Sequence, residues 1–285
     1  MIFNNSILGE GISNYVVANE ENQTIIVDGK QPIADGVSLN TTTGEYEISS
    51  AAGFKYFAET ILTASSDNEV TGKLVENIDL KDVKWPAIVT KTPFVLDGND
   101  KTISNLTASE VTSDGFYNFA MFNVTYKSTT IKNLTVEGAT VSGNGQSNSH
   151  GSVLVATPRE MLTVSKVTVK NSTVSNCDRS SMIVTYLYFD SADIDDCVVE
   201  GCTINSIGTA GAILGLNNNH NITIDNCQVN STTVSSSEGS NKAGIFIGTW
   251  QDDTYAVPAL TGCTTTNSKA INADTETNNN IGRTV

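Results

Sequence analysis

Residues 223–234 read Thr-Ile-Asp-Asn-Cys-Gln-Val-Asn-Ser-Thr-Thr-Val, and this stretch carries the repeat unit of the chain. If Ile224 is position zero, apolar or small residues stand at plus three (Cys227), plus five (Val229) and plus ten (Val234). Successive copies start about 28 to 36 residues apart, a period typical of solenoid proteins. The other copies are Ile131, Leu134, Val136 and Val141; Val164, Val167, Val169 and Val174; Ile194, Cys197, Val199 and Ile204; and weaker ones beginning at Ile103 and Leu260.

Each copy has a second apolar run about halfway along its coil. Both runs are short, rich in β-branched residues and bounded by Gly, Asn and Ser, which is typical of strands. Stacking lets every strand pair with the strands above and below it, and joins the inward side chains into one core. We therefore predict an all-β fold, a right-handed parallel β-helix. The second runs are 120–122, 153–155, 182–184, 212–214 and 245–247.

Polar residues occupy plus two, between two inward positions, so the backbone must turn there. Asn and Asp tolerate left-handed backbone angles, and stacked Asn side chains can bond to one another along the axis. We interpret this column as structural rather than as a ligand site. Its members are Asn105, Asn133, Lys166, Asp196 and Asn226.

Composition narrows the function classes. The 285 residues carry a net charge of −15 with only three arginines, Arg159, Arg179 and Arg283, which argues against nucleic acid and an anionic membrane surface as partners. No stretch is long and apolar enough for membrane insertion. We predict one β-helix domain over 46–285, preceded by an attachment or capping segment over 1–45.

Five cysteines exclude a complete set of disulfides within the chain. Cys197, Cys227 and Cys263 share plus three and are expected to stack, while Cys202 falls at plus eight and Cys177 in a turn. We interpret all five as reduced, packing side chains, because no Cys-x-x-Cys spacing indicates zinc.

The N-terminal region lies outside the repeat. Met1–Leu8 lacks the basic start and long apolar core of a secretory signal. The runs between Tyr15 and Asp28 predict a hairpin, which is either an attachment module or irregular capping structure. Ser49 and Ser50 precede an amphipathic stretch, so Ser is the expected N-cap of a short helix that covers the first coil. Its apolar face comprises Phe54, Phe57, Ile61 and Leu62.

Three segments resemble a known group of proteins. Asn77-Ile-Asp-Leu80, Trp85-Pro86 and the run from Phe94 to Leu106 are similar to pectate-lyase-like β-helix modules of gut-bacterial surface proteins. Residues 211–216 and 244–248 resemble the GLUG-type repeats of those proteins. The resemblance covers 46–285 and implies a β-helix with an adhesive or architectural role. A phage virion protein that carries such a module fits the same features.

A polysaccharide hydrolase is one alternative, since it needs paired carboxylates. Asp195–Asp196 and Asp252–Asp253 are candidate pairs, and Ser149-His150-Gly151 resembles the Gly-His-Gly of pectin hydrolases. In that family, however, the Asp pair precedes the His. We interpret His150 and His220 as surface histidines.

A lyase is the other enzymatic alternative, and it would combine a calcium-binding acidic cluster with a basic residue. Asp193, Asp195 and Asp225 are the candidate calcium ligands, and Lys166 and Lys170 are the candidate bases. Outward acids on an acidic solenoid are usually solvated, so we expect no cofactor and no catalytic residue.

Glycan binding has better support. The connections before the second apolar runs vary in length, as binding loops of repeat proteins do. Aromatic rings follow those runs, and exposed rings can stack on sugars, although some can instead pack beneath loops. The candidates are Tyr126, Tyr186, Tyr188, Trp250 and Tyr255.

These observations favour a non-enzymatic structural or adhesive β-helix on the outside of a virion or cell. A phage fibre or decoration protein is the first choice, and a bacterial adhesin is the alternative. The expected partners are a cell-surface glycan or protein, other virion or surface proteins through the N-terminal segment, and further copies in a homo-oligomer.

Overall fold

The computed structural model describes residues 17–18, 25–26, 28–188, 190–218, 221–238, 242–251, 256–273 and 275–284. These residues form a parallel β-helix of about six turns with one short helical segment, which confirms the predicted fold class. No helix within them is long and apolar enough to span a membrane.

The helical segment comprises α1 (Ala51–Tyr56) and a π-helical turn (Phe57–Ile61). The strands, in chain order, are β1 (Val17–Ala18), β2 (Ile25–Ile26), β3 (Lys30–Ala34), β4 (Val37–Asn40), β5 (Tyr46–Ile48), β6 (Val70–Leu74), β7 (Ile78–Asp79), β8 (Val89–Thr90), β9 (Phe94–Ser104), β10 (Glu110–Ser113), β11 (Phe116–Phe119), β12 (Phe122–Thr125), β13 (Thr129–Glu137), β14 (Thr140–Ser142), β15 (Ser149–Gly151), β16 (Val155–Pro158) and β17 (Leu162–Lys170). They continue with β18 (Thr173–Ser175), β19 (Arg179–Ser180), β20 (Val184–Leu187), β21 (Ala192–Asp195), β22 (Val198–Glu200), β23 (Thr203–Ser206), β24 (Thr209–Gly211), β25 (Leu214–Asn218), β26 (Ile222–Asp225), β27 (Gln228–Asn230), β28 (Thr233–Ser236), β29 (Ala243–Gly244), β30 (Ile247–Gln251), β31 (Thr264–Thr266), β32 (Lys269–Asn272), β33 (Thr275–Thr277) and β34 (Ile281–Thr284).

Each turn contributes to four stacked sheets. Sheet 1 contains β3 to β7, β9, β13, β17, β21, β22, β26, β27 and β31. The chain then passes through sheet 2 (β14, β18, β23, β28, β32, β33), sheet 3 (β10, β11, β15, β19, β24, β29) and sheet 4 (β8, β12, β16, β20, β25, β30, β34) before it returns to sheet 1. The second apolar runs form the corner between sheets 3 and 4, and their hydrophobic side chains are buried.

The predicted repeat frame is confirmed for its strong copies. In sheet 1, each position-zero residue pairs with the one in the next turn: Ile131 with Val164, Val164 with Ile194, and Ile194 with Ile224. Their side chains are fully buried, like those at plus five and plus ten. The weak copy at Ile103 is assigned to the wrong frame: Leu96 pairs with Ile131 and holds position zero, whereas Ile103 pairs with Val136 at plus five. A short insertion around Gly98 separates these two positions in β9 and hides the true frame.

The plus-two residues have the predicted left-handed backbone. Their φ angles are 52° at Asn133, 54° at Lys166, 53° at Asp196 and 53° at Asn226. Asn105 also has a positive φ, of 60°, but the corrected frame puts it opposite Gly138 and not at plus two. The expected bonds between stacked Asn side chains are replaced by amide–carboxylate bonds. Asn133 Nδ2 donates to Asp97 Oδ1 over 3.1 Å, and Asn226 Nδ2 donates to Asp195 Oδ1 over 3.0 Å. A carboxylate is a stronger acceptor than a neutral amide, and the preceding turn presents one at plus one.

The cysteines are free thiols, as predicted. Cys197 and Cys227 are fully buried, and each thiol points to a backbone carbonyl of the preceding turn. Burial raises the pKa of Cys177 to about 12 and that of Cys202 to about 11. Such thiols are poor nucleophiles at neutral pH.

The first turn is covered as predicted. Ser50 Oγ accepts the Gly53 amide over 3.1 Å and caps α1. Phe54 is buried and stacks on Trp85 with ring centroids 4.8 Å apart. Before α1, β3 and β4 form an antiparallel pair at the edge of sheet 1. The predicted hairpin appears as the antiparallel pair β1–β2, and its other residues lie outside the described ranges.

Candidate functional site

The candidate site lies where sheets 3 and 4 face each other, a contact that we call the seam. Outward residues of the two sheets meet there, for example Thr209 of β24 and Thr249 of β30, whose hydroxyl oxygens are 3.2 Å apart. Both side chains are buried. Because each turn repeats the contact, the seam follows the axis of the β-helix.

The seam narrows toward the C-terminal turns. One column of sheet 4 faces the backbone of sheet 3 and contains Asn123, Ala156, Thr185, Gly215 and Gly248 in successive turns. A Cβ on Gly248 would lie 2.5 Å from the Gly215 carbonyl oxygen and 2.7 Å from Ala210 C. The glycines therefore permit a close backbone approach, while the longer Asn123 side chain reaches the Asn118 carbonyl over 2.7 Å.

His150 fills the wide end of the seam. Its side chain is fully buried and stacks on Phe116, with ring centroids 4.8 Å apart. Arg179 Nη1 lies 2.9 Å from His150 Nε2, and His150 Nδ1 lies 3.0 Å from Thr157 Oγ1. The prediction of a surface histidine was wrong, because β15 directs this ring against sheet 4 rather than outward from a turn.

The tautomer of His150 follows from its partners. A guanidinium can only donate, so Nε2 must accept from Arg179 and Nδ1 must carry the proton. Nδ1 then donates to Thr157, whose hydroxyl donates to Asn118 Oδ1 over 2.7 Å. Burial and the charges of Arg179 and Arg159 hold the pKa of His150 well below its usual 6.5. The ring is neutral and fully hydrogen-bonded.

Aromatic and arginine side chains cover the outer mouth of the wide end. We call this group the tyrosine patch, and it comprises Phe116, Tyr126, Arg159, Arg179, Tyr186 and Tyr188. Tyr186 is central: its ring is 4.7 Å from His150, 5.5 Å from Phe116 and 5.5 Å from Tyr188, measured between centroids. The Arg179 guanidinium lies 4.8 Å from the Tyr186 centroid, within cation–π range.

A second half of the patch is built around Arg159. Its guanidinium lies 5.7 Å from the Tyr126 ring centroid and forms an ion pair with Asp114 over 2.5 Å. The Tyr126 hydroxyl also donates to Asp114, over 3.2 Å. Burial lowers the pKa of Arg159, and Asp114 opposes this change. The patch thus combines rings with polar groups that are held in place.

The structure places the predicted glycan residues in three different settings. Tyr126 and Tyr188 are 37% and 44% exposed and lie in the patch. Tyr186 joins them but is only 7% exposed, so it supports the other rings. Trp250 is 1% exposed and packs in the core, which contradicts its assignment as a sugar platform. Tyr255 lies outside the described residues.

The predicted calcium residues lie on the outer face of sheet 1. Asp195 pairs with Asp225 in adjacent strands, as the frame requires, and Asp193 pairs with Thr223. Asp195 accepts the Asn226 amide, and Asp193 accepts the Thr223 hydroxyl. Among the described residues, no group of three His, Cys, Asp or Glu side chains is placed to hold a metal. Asp252, Asp253 and His220 lie outside those residues.

Sequence reasoning missed Arg159, Arg179 and Phe116 as parts of the site. Two of the three arginines of the chain meet in the patch, which the low arginine content could have indicated. The position of Arg159 between Tyr126 and Tyr188 also follows from the repeat period. Phe116 gives no such signal, since it lies in a connection of variable length.

No family model and no curated protein sequence matches the chain. A solved structure from Bacteroides ovatus, described as a "putative immunoglobulin A1 protease", is similar in fold. The superposition has a TM-score of 0.54 at 14% sequence identity and covers 82% of this chain and 79% of the other. At this identity the similarity extends to the β-helix alone.

Proposed function

We propose that the protein is a non-enzymatic structural or adhesive β-helix that binds glycans through the tyrosine patch. The carrying observation is that Tyr126 and Tyr188 remain exposed although charged and aromatic neighbours fix both rings. Rigid aromatic rings with adjacent hydrogen-bonding groups are suited to sugars, which present an apolar face and a rim of hydroxyls. The surface of a virion or a cell is the setting in which such a rod meets glycans.

The description of the Bacteroides ovatus protein raises proteolysis as an alternative. His150 is the one histidine among the described residues, and both of its ring nitrogens are engaged, with Arg179 and Thr157. Thr157 is fully buried and out of reach of a peptide substrate. The thiols do not supply an activated nucleophile either, because four of the five are buried and burial raises the pKa of the partly exposed Cys263 to about 11. These features support binding rather than proteolysis.

Glycan binding can be tested on a glycan array with the purified full-length chain. We expect the array to retain some glycans, and we expect Tyr188→Ala to reduce their binding about tenfold, since losing one stacked ring removes about 1.4 kcal/mol. Tyr188→Phe is the matched control, because it keeps the ring and should keep the binding. Equal binding by wild type and Tyr188→Ala would reject the patch as the site.

The two surface settings need a separate experiment. We favour a phage fibre or decoration protein, while the origin of the structural neighbour favours a bacterial adhesin. Mass spectrometry of purified virions and of shaved cell surfaces distinguishes them. Recovery from the soluble cytoplasm alone would reject both settings.

A further inference from the structure

We propose that the tyrosine patch binds an extended, uncharged oligosaccharide of at least three sugar units, lying parallel to the β-helix axis. This inference rests on the proposed glycan-binding function and specifies the class of ligand. Four features support it: the spacing of the exposed rings, the way in which they are held, the polar groups near them, and the charge around them.

The spacing comes from a column at the end of the sheet 4 strands. Thr125 pairs with Pro158 and Leu187 with Asn217, so the residues that follow them continue the same register. Each turn adds about 4.8 Å along the axis, which places Tyr126 and Tyr188 about 10 Å apart. That distance matches sugar rings separated by one intervening unit. In successive turns the column reads Tyr126, Arg159, Tyr188, Asn218 and Gln251.

Both rings are oriented before a ligand arrives. Arg159 lies over Tyr126, and the Tyr126 hydroxyl is bonded to Asp114. Tyr188 stacks on Tyr186 at an interplanar angle of 19°. A ring that is already fixed loses little conformational entropy on binding, so two such rings favour a ligand that spans both.

Polar groups occur along the column where sugar hydroxyls would lie. Asp114 is a half-exposed acceptor beside Tyr126. Beyond Tyr188, the column continues with the amides of Asn218 and Gln251, and Gln251 is exposed. An amide can both donate and accept, as a hydroxyl does. A linear chain that follows the axis meets these groups in turn, whereas a single sugar reaches only one ring.

Charge favours an uncharged ligand. Arg159 is paired with Asp114 and Arg179 with Asp178, so each guanidinium already has a carboxylate. His150 adds no charge, because both ring nitrogens are committed. An acidic sugar would have to displace these carboxylates on a chain whose net charge is −15. A neutral sugar neither has to displace a carboxylate nor is repelled by the negative charge of the chain.

Isothermal titration with defined oligosaccharides tests the proposal. The probes are neutral β-1,4-linked gluco-, manno- and xylo-oligosaccharides of one to six units, and oligogalacturonates of the same lengths. For at least one neutral series we expect affinity to rise tenfold or more between the monomer and the trimer or tetramer. Further lengthening of the ligand should leave the affinity unchanged. The affinity for the neutral ligand should also change less than twofold between low and high salt, because no charged contact is involved.

Variants connect this length dependence to the two rings. We expect Tyr126→Ala and Tyr188→Ala each to lower tetramer affinity about tenfold, and to reduce the gain from lengthening the ligand. Gln228→Ala, on the outer face of sheet 1, is the control and should bind like wild type. Equal affinity for monomer and tetramer, or a salt-sensitive preference for galacturonates, would overturn this inference and leave glycan binding intact. Failure to bind any saccharide, here and on the array, would overturn glycan binding itself.

Discussion

At the scale of single residues, the plus-two position adopts a left-handed backbone whichever residue it holds. Asn133 and Asn226 follow turns that present Asp97 and Asp195 at plus one, and their amides bond to those carboxylates. In the turn before Lys166, the plus-one residue is Lys132, whose side chain has no hydrogen-bond acceptor. At these positions Asn therefore occurs where the preceding turn offers a carboxylate, while the left-handed backbone is present with or without that bond.

Lys166 carries a conformational cost that Asn would reduce. Its φ of 54° is unfavourable for a long side chain and acceptable for Asn. We expect Lys166→Asn to raise the free energy of unfolding by about 1 kcal/mol. Urea titration measures the change. Lys170→Asn, in the extended part of β17, is the control and should give no gain; an equal gain there would refute the conformational explanation.

His150 makes stability depend on pH. Its native pKa lies below the unfolded value of 6.5, so the unfolded state binds the proton first as the pH falls. This contribution is complete above pH 6.5 and is lost below it, at up to about 1.4 kcal/mol per pH unit. Thermal or urea unfolding at pH 7.5, 6.5 and 5.5 measures it.

The comparison for this pH dependence is His150→Gln, which replaces the titrating ring with a neutral amide. We expect the variant to be less stable at neutral pH and to lose less stability than wild type between pH 6.5 and 5.5. If wild type and variant lose the same free energy of unfolding between pH 6.5 and 5.5, groups other than His150 cause the pH dependence.

At the scale of strands, the frame separates inward from outward positions within β26. Ile224 is fully buried, and Asp225 beside it lies on the outer face. Ile224→Asp buries an unpaired carboxylate and should cost several kcal/mol, enough to consume much of a domain's stability. Asp225→Ala should change stability by about 0.5 kcal/mol or less. Thermal melts of both variants check the register, and comparable losses would contradict it.

The close approach of sheets 3 and 4 at Gly248 leaves no room for a side chain there. Gly248→Ala would place a methyl group 2.5 Å from the Gly215 carbonyl oxygen and 2.6 Å from Thr209 Cγ2, so the sheets must separate locally. We expect a loss of about 1–3 kcal/mol in urea unfolding. Ala156→Gly, in the wider part of the same column, removes one methyl and should cost less. A larger loss from Ala156→Gly would mean that the seam does not narrow as described.

The sequence predicted the β-helix, because its inward positions recur at a fixed period, as at Ile194 and Ile224. It also predicted the cap, since Ser50 and the apolar face of α1 are local signals. The seam could not be predicted in this way. Asn118, Thr157 and His150 look like ordinary polar residues of turns and outer faces, and only contact between two sheets buries them. Trp250 is buried for a different reason, because it lies on the inner side of sheet 4 and belongs to the core.

At the scale of the whole molecule, we predict that copies of the chain assemble through the region before the repeat. We expect deletion of residues 1–27 to lower the oligomeric state in sedimentation while the far-UV spectrum keeps its β-sheet signal. The deletion leaves β3 and β4 in place, because Val37 of β4 belongs to the buried core. An unchanged sedimentation coefficient per chain would place the assembly contacts elsewhere.

The stacking of turns also determines how the molecule opens. Among the described strands, hydrogen bonds join each turn only to the turns directly before and after it. We therefore expect unfolding to begin at a terminal turn and to continue turn by turn, so that a central turn unfolds only after the turns beside it. The first turn is held shut by α1 and Trp85. Amide protons should consequently exchange fastest at the last turns and slowest around β13 and β17, leaving the tyrosine patch in the part of the rod that opens late.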